Sequence, residues 1–219
     1  MSEPFKLSIE LLTPFYMGHR ITLDGLLSAA IYNATGLTGK ENAAMIPLAS
    51  EDGVFRGSSL FVGADYRHQV VGRIMALKGA SDMDVNAFLP NGRGGRYSFI
   101  DPQRDIYKYN MSQYQGIQVE SVEFYGLGDA EQCRELIQNF IHGIGKRAIA
   151  GAGQIGEITI FYLDQDESFM RADGQPARPL PIDIWKTLGG ADAPCAKIPV
   201  QFPYWESNGV EAVFPTSMT

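Results

Sequence analysis

The run His142-Gly-Ile-Gly-Lys-Arg147-Ala-Ile-Ala-Gly151-Ala-Gly153-Gln154-Ile-Gly156-Glu157 concentrates the residue types that hold anions. Glycines let backbone amides approach a ligand closely and line a concave nest. Lys146 and Arg147 add charge-assisted contacts, and a guanidinium can grip a phosphate with two parallel hydrogen bonds. No acidic residue stands between Glu135 and Glu157, so this piece is locally positive on an otherwise acidic chain. The competing reading is a loop whose glycines serve only tight turns.

Two familiar glycine motifs are excluded. Gly151-Ala-Gly153-Gln154-Ile-Gly156 fits G-x-G-x-x-G, but that fingerprint needs a strand before it and a helix after it. Here the order is reversed. Lys146 is followed by Arg147 and not by Ser or Thr, so there is no phosphate-binding Walker sequence either. No nucleotide or other cofactor is expected. His142 closes a helix, where an imidazolium suits the negative end of the dipole. Neither it nor His68 has carboxylates at metal-ligand spacing, and no metal site is expected.

The elements that must position this loop follow from hydrophobic periodicity. Phe5, Leu7, Ile9 and Leu11 alternate with polar residues, which predicts a half-buried strand over 5–12 that Thr13-Pro14 stops. Leu26, Leu27, Ala30, Ile31 and Ala34 predict a short helix capped by Asp24 and ended by Gly36. Residues 54–62 read as extended with a turn at Gly57-Ser58. Val119 to Tyr125 predicts a strand, and Cys133, Leu136, Ile137, Phe140 and Ile141 predict a helix capped by Asp129. Ile158, Ile160 and Tyr162 alternate as a last strand. Strand–helix–strand, an insertion, then strand–helix–strand is the order of an α+β, ferredoxin-like (RRM-like) βαββαβ sandwich. Residues 1–163 form that domain, with 63–117 as an inserted arm too long for an ordinary connection. Residues 164–219 hold seven of the twelve prolines. They predict a C-terminal extension with little regular structure, wrapped on the domain and anchored by Trp185, Phe202, Tyr204 and Trp205.

With 219 residues, 45% of them hydrophobic, the chain can bury a core. A net charge of −7 argues against indiscriminate polyanion binding, although a local basic groove survives it. Two cysteines cannot build a disulfide framework. The N-terminal residues lack the pattern of a signal peptide, and no run reaches the roughly 20 apolar residues of a membrane span. A cytoplasmic protein without a membrane partner is expected.

The glycine loop between the last helix and last strand resembles the hallmark of the CRISPR-associated RAMP superfamily, carried here by Gly143-Ile-Gly145-Lys-Arg147 and Gly151-Ala-Gly153. Val122-Glu-Phe-Tyr125-Gly-Leu-Gly128-Asp129 and Thr22-Leu-Asp24-Gly-Leu-Leu27 look like type IV members, specifically the small effector subunit equivalent to Cas family five. Phe55-Arg56-Gly-Ser58-Ser59-Leu is similar to a G-S-S-L segment of RAMP backbone subunits. The resemblance spans about residues 5–163, and the tail adds nothing to it. It implies a non-catalytic subunit that holds the 5′ handle of a guide RNA inside a type IV effector complex of antiviral or anti-plasmid defence. The implied partners are the guide RNA, a multicopy backbone subunit and a large subunit, with contact to target DNA near its flanking motif left open.

The RNA contacts so implied are Gly143, Gly145, Lys146, Arg147, Gly151, Gly153 and Gln154 of the loop, with His19, Arg20, Arg56, Ser58 and Arg67 extending the track. In the arm, Arg93 and Arg96 flank a glycine-rich tip, and interleaved aromatics suit stacking on single-stranded bases. Packing of those aromatics within the arm is the plainer alternative. Relatives that cut guide-RNA precursors commonly use a histidine near the first helix, so His19 with Tyr16 or Lys146 could serve a metal-independent endoribonuclease. A third reading is a protein-interaction domain that never touches RNA.

Overall fold

The computed structural model describes residues 2–17, 20–63, 65–75, 110–206 and 208–216, with the backbone alone for 71–75 and 110–112. In chain order, strand β1 (Glu3–Leu11) leads to helices α1 (Leu23–Thr35) and α2 (Gly39–Ala43). Short strands β2 (Ser50–Glu51), β3 (Val54–Phe55) and β4 (Phe61–Val62) follow. Then come β5 (Arg67–Met75), β6 (Asn110–Gln118), β7 (Ser121–Gly128), α3 (Ala130–Phe140) and β8 (Ile155–Tyr162). The tail supplies β9 (Leu180–Pro181), α4 (Ile182–Thr187), β10 (Cys195–Ile198) and β11 (Val210–Val213). The chain divides into one unit of residues 1–68 and 116–219 and a second of 69–115. β5 and β6 pair as a two-stranded ribbon.

The principal sheet is antiparallel, in the order β4-β7-β1-β8. β1 is central because its alternation buries Phe5, Leu7 and Ile9 completely on one face. Val122 and Phe124 of β7 join them from the neighbouring strand. That face is covered by α1 and α3, which pack on each other through Leu27, Ala30, Ile31, Cys133 and Ile137. Each such fully buried aliphatic or aromatic side chain contributes about 1.5–3 kcal/mol.

The helix ends show why these segments stop where they do. Asp129 caps α3 as predicted, accepting from the Gln132 amide at 2.9 Å. Gly36, at φ 75°, ends α1 and donates to the Tyr32 carbonyl. The expected cap of α1 is corrected: Thr22 Oγ1 accepts from the Gly25 amide, and Asp24 lies inside the first turn. Its carboxylate is buried against Arg178, which is why it is unavailable as a cap.

The tail also departs from expectation. It forms a three-stranded antiparallel sheet, β10-β11-β9, and a helix around a second core of Phe169, Leu180, Ile184, Trp185, Val200 and Val213. Trp185 is an anchor as predicted, with Nε1 donating to the Ala191 carbonyl at 2.8 Å. Trp205 is not, being 70% exposed. No described helix is long and apolar enough to cross a membrane.

Candidate nucleic-acid interface

The loop between α3 and β8 is built by close backbone approach. Past Phe140 the chain turns extended at Ile141, and Gly143 pairs across to Gln154, closing the loop at its base. Ile144 is buried and its amide donates to the Gly153 carbonyl at 2.8 Å. Lys146 then pairs with Tyr16, its amide donating to the Tyr16 carbonyl at 2.7 Å. Arg147, at φ 64°, starts a 3-10 turn over Ala148–Ala150 that Gly151 ends at φ 86°.

The segment after β1 holds the other side. Thr13 Oγ1 donates to the Gly151 carbonyl at 2.8 Å and accepts from the Gln154 amide at 2.9 Å. The Gly153 amide donates to Pro14 and the Leu12 amide to Gln154. Gly145 and Gly153 are required by this clasp. Both have positive φ, and a Cβ would lie 2.6 Å from the Tyr16 oxygen in one case and 2.2 Å from the Ile144 oxygen in the other.

This narrows the expected amide nest. The amides of Ile144, Lys146, Ala150, Gly151, Ala152, Gly153 and Gln154 all donate to acceptors of the same chain. The glycines let two backbone runs meet, and the loop turns side chains outward. Lys146, Gly151 and Gln154 are exposed, Gly143, Gly145 and Arg147 are half-buried, and Ile149 is fully exposed. The outer surface is therefore cationic with one apolar side chain at its tip.

The remaining sequence-derived residues separate. Tyr16 is half-buried beside Lys146, while His19, Arg93 and Arg96 lie outside the described residues. Arg67 is exposed at the start of β5. Arg20 goes to the tail, where its guanidinium donates to the Pro215 carbonyl and sits 5.3 Å from the Phe214 ring centre. Partial burial lowers its pKa. Two expected contacts are overturned by packing. Ser58 is fully buried, its hydroxyl donating to the Ser59 carbonyl and accepting from the Tyr125 amide. Arg56 is neutralised by Glu51 and by Asp166 at 2.5 Å, and lies against the Phe169 ring. Burial alone would lower the Arg56 pKa, but the two carboxylates outweigh it and raise it.

Sequence reasoning missed two things. Thr13 was legible only as a strand stop, yet it supplies two of the bonds that hold the loop. Arg178 was one basic residue in an acidic tail, yet it is completely buried and donates to Asp24, Phe55, Gly57 and Tyr204.

A family model described as CRISPR type IV associated protein Csf3 matches residues 80–215. The chain belongs to the Csf3 family. The match starts in the arm and runs through β11, so the tail of this Csf3-family chain carries family signal, contrary to the expectation that it adds none. Among solved structures, a chain of the cryo-EM structure of the Type III-B Cmr-beta bound to cognate target RNA is similar at a TM-score of 0.43 and 11% identity. The similarity covers 74% of this chain and 61% of that one. No curated protein matches.

Proposed function

We propose that this Csf3-family protein is the guide-RNA-binding subunit of a type IV CRISPR effector complex. In this reading it is equivalent to Cas family five, holds the RNA's 5′ handle and performs no cleavage. The α3–β8 loop carries the reading. It is free of acidic residues, is fixed by the clasp with Thr13, Pro14 and Tyr16, and exposes Lys146 on its outer side. A rigid, locally cationic loop on an acidic protein suits one phosphate path and repels polyanions elsewhere. The ferredoxin-like reading of the fold belongs to the same proposal. It is supported by the element order β1-α1-β4-β7-α3-β8 and the sheet order β4-β7-β1-β8. The complex would assemble in the cytoplasm with a multicopy backbone subunit and a large subunit.

Filter binding of guide RNA against salt tests this. Wild type should lose affinity with a slope of roughly −0.7 per phosphate contact. The Lys146→Ala, Arg147→Ala double variant should bind more weakly and with a shallower slope. Unchanged binding would remove the loop from the RNA site. Incubation with repeat RNA in EDTA tests the absence of cleavage, and cutting that His19→Ala abolishes would make the protein a nuclease.

A further inference from the structure

The two edges of the principal sheet are treated very differently. β4 contributes two residues to one edge, whereas β8 forms the other along eight. Natural edge strands are blunted with lysine, proline or shortness, because their unpaired amides and carbonyls recruit other strands. β8 reads Ile-Gly-Glu-Ile-Thr-Ile-Phe-Tyr, with no proline or lysine and a single charge. Phe161 and Tyr162 are 46% and 58% exposed.

Strand alternation fixes which backbone groups face outward. The Leu163 amide donates to Pro4 of the β1 side, and the Glu157 amide donates to the Glu10 carboxylate on the same side. Odd-numbered residues therefore turn their amides and carbonyls to β1. Those of Ile158, Ile160 and Tyr162 point away from it. Among the described residues these three amides have no hydrogen-bond partner.

We propose that β8 is a docking edge for an extended, basic segment of a partner protein, which adds to the sheet as a fifth strand. The charges around the edge select the partner. Glu10, Glu157 and Asp164 are all exposed near its two ends. Antiparallel pairing of two copies along β8 would bring the acidic edge carrying Glu10, Glu157 and Asp164 up against the same acidic edge of the other. Like charges so placed oppose a homodimer, as does the net charge of −7. The same carboxylates repel RNA. A segment carrying Lys or Arg near both ends of its strand satisfies the edge and the charges together. This rests on the proposed place in a multisubunit complex, but not on the α3–β8 loop.

Hydrogen exchange of the isolated protein, the protein with guide RNA, and the complex co-expressed with the other type IV effector subunits tests it. The Ile158, Ile160 and Tyr162 amides should exchange at least tenfold more slowly only in the complex. Tyr162→Pro removes one outward amide and leaves the β1–β8 ladder whole. It should reduce co-purification with the other subunits at least fivefold while filter binding of guide RNA stays at wild type. Glu157→Lys with Asp164→Lys, both on exposed positions, should reduce co-purification likewise, without weakening guide-RNA binding, if the proline variant fails to fold. Slowing with RNA alone, slowing that depends on the isolated protein's concentration, or no slowing on assembly would each overturn the proposal. Edge protection in a complex whose isolated chain binds no RNA would uphold it and defeat the RNA-binding reading.

Discussion

Asp24 in the first turn of α1 and Arg178 in the tail meet as a fully buried ion pair, 3.1 Å between Oδ1 and Nη1, across 154 residues of sequence. Arg178 also donates to the Phe55 and Gly57 carbonyls at 2.6 and 2.9 Å, and Tyr204 closes the group by donating to Asp24. Burial alone would lower the Arg178 pKa, but Asp24 and Tyr204 outweigh it and raise it. The guanidinium therefore stays charged.

Removing one partner leaves the other charge buried without compensation. Asp24→Leu or Arg178→Met alone should cost about 3–5 kcal/mol in urea unfolding. The double variant should lose clearly less than the sum of the two, because no orphan charge remains. Additive losses would show that the pair is not coupled.

Tyr204 gives the group a pH dependence. Burial, with Asp24 adding to it and Arg178 opposing, raises the phenol above its ordinary value near 10. The folded state thus holds the proton more tightly than the unfolded chain. Its contribution is fully present below about pH 10 and declines as pH rises through the folded value. Alkaline unfolding curves should show this decline in wild type and a flatter one in Tyr204→Phe.

Two glycines of the loop separate backbone freedom from packing. Gly151 has positive φ but open space around a would-be Cβ, so Gly151→Ala should cost about 1 kcal/mol. Gly153 has positive φ and the Ile144 oxygen in the way, so Gly153→Ala should cost more than about 2 kcal/mol and weaken RNA binding by opening the clasp. Equal melting temperatures for the two variants would contradict the clasp.

The thiols should differ sharply. Cys133 is fully buried on α3, and burial pushes its pKa up, with Asp129 adding to the effect. Cys195 is exposed. Under native conditions a thiol reagent should titrate one cysteine, and the second only on unfolding.

The strands and helices around the glycine loop were legible because each carries one buried face with a clean period. β1 alternates without exception from Phe5 to Leu11, and the α3 stripe of Cys133 and Ile137 is marked by the Asp129 cap. The tail was not legible because its order comes from contacts distant in sequence. β9 and β11 pair over only two residues, too short to show a period, and Arg178 looks like any surface cation. The same cause misplaced the cap of α1, since nothing near Asp24 announces a guanidinium 154 residues away. At the candidate interface the cations of the loop were visible in composition, whereas the inward turn of its amides depends on Thr13, Pro14 and Tyr16, which only the fold brings alongside.

The Asp24–Arg178 pairing also sets a timetable for the ribosome. Asp24 emerges 154 residues ahead of the cation that neutralises it. Until then the start of α1 must keep its carboxylate in water, so this part of the core settles into its final form only after Arg178 has left the exit tunnel.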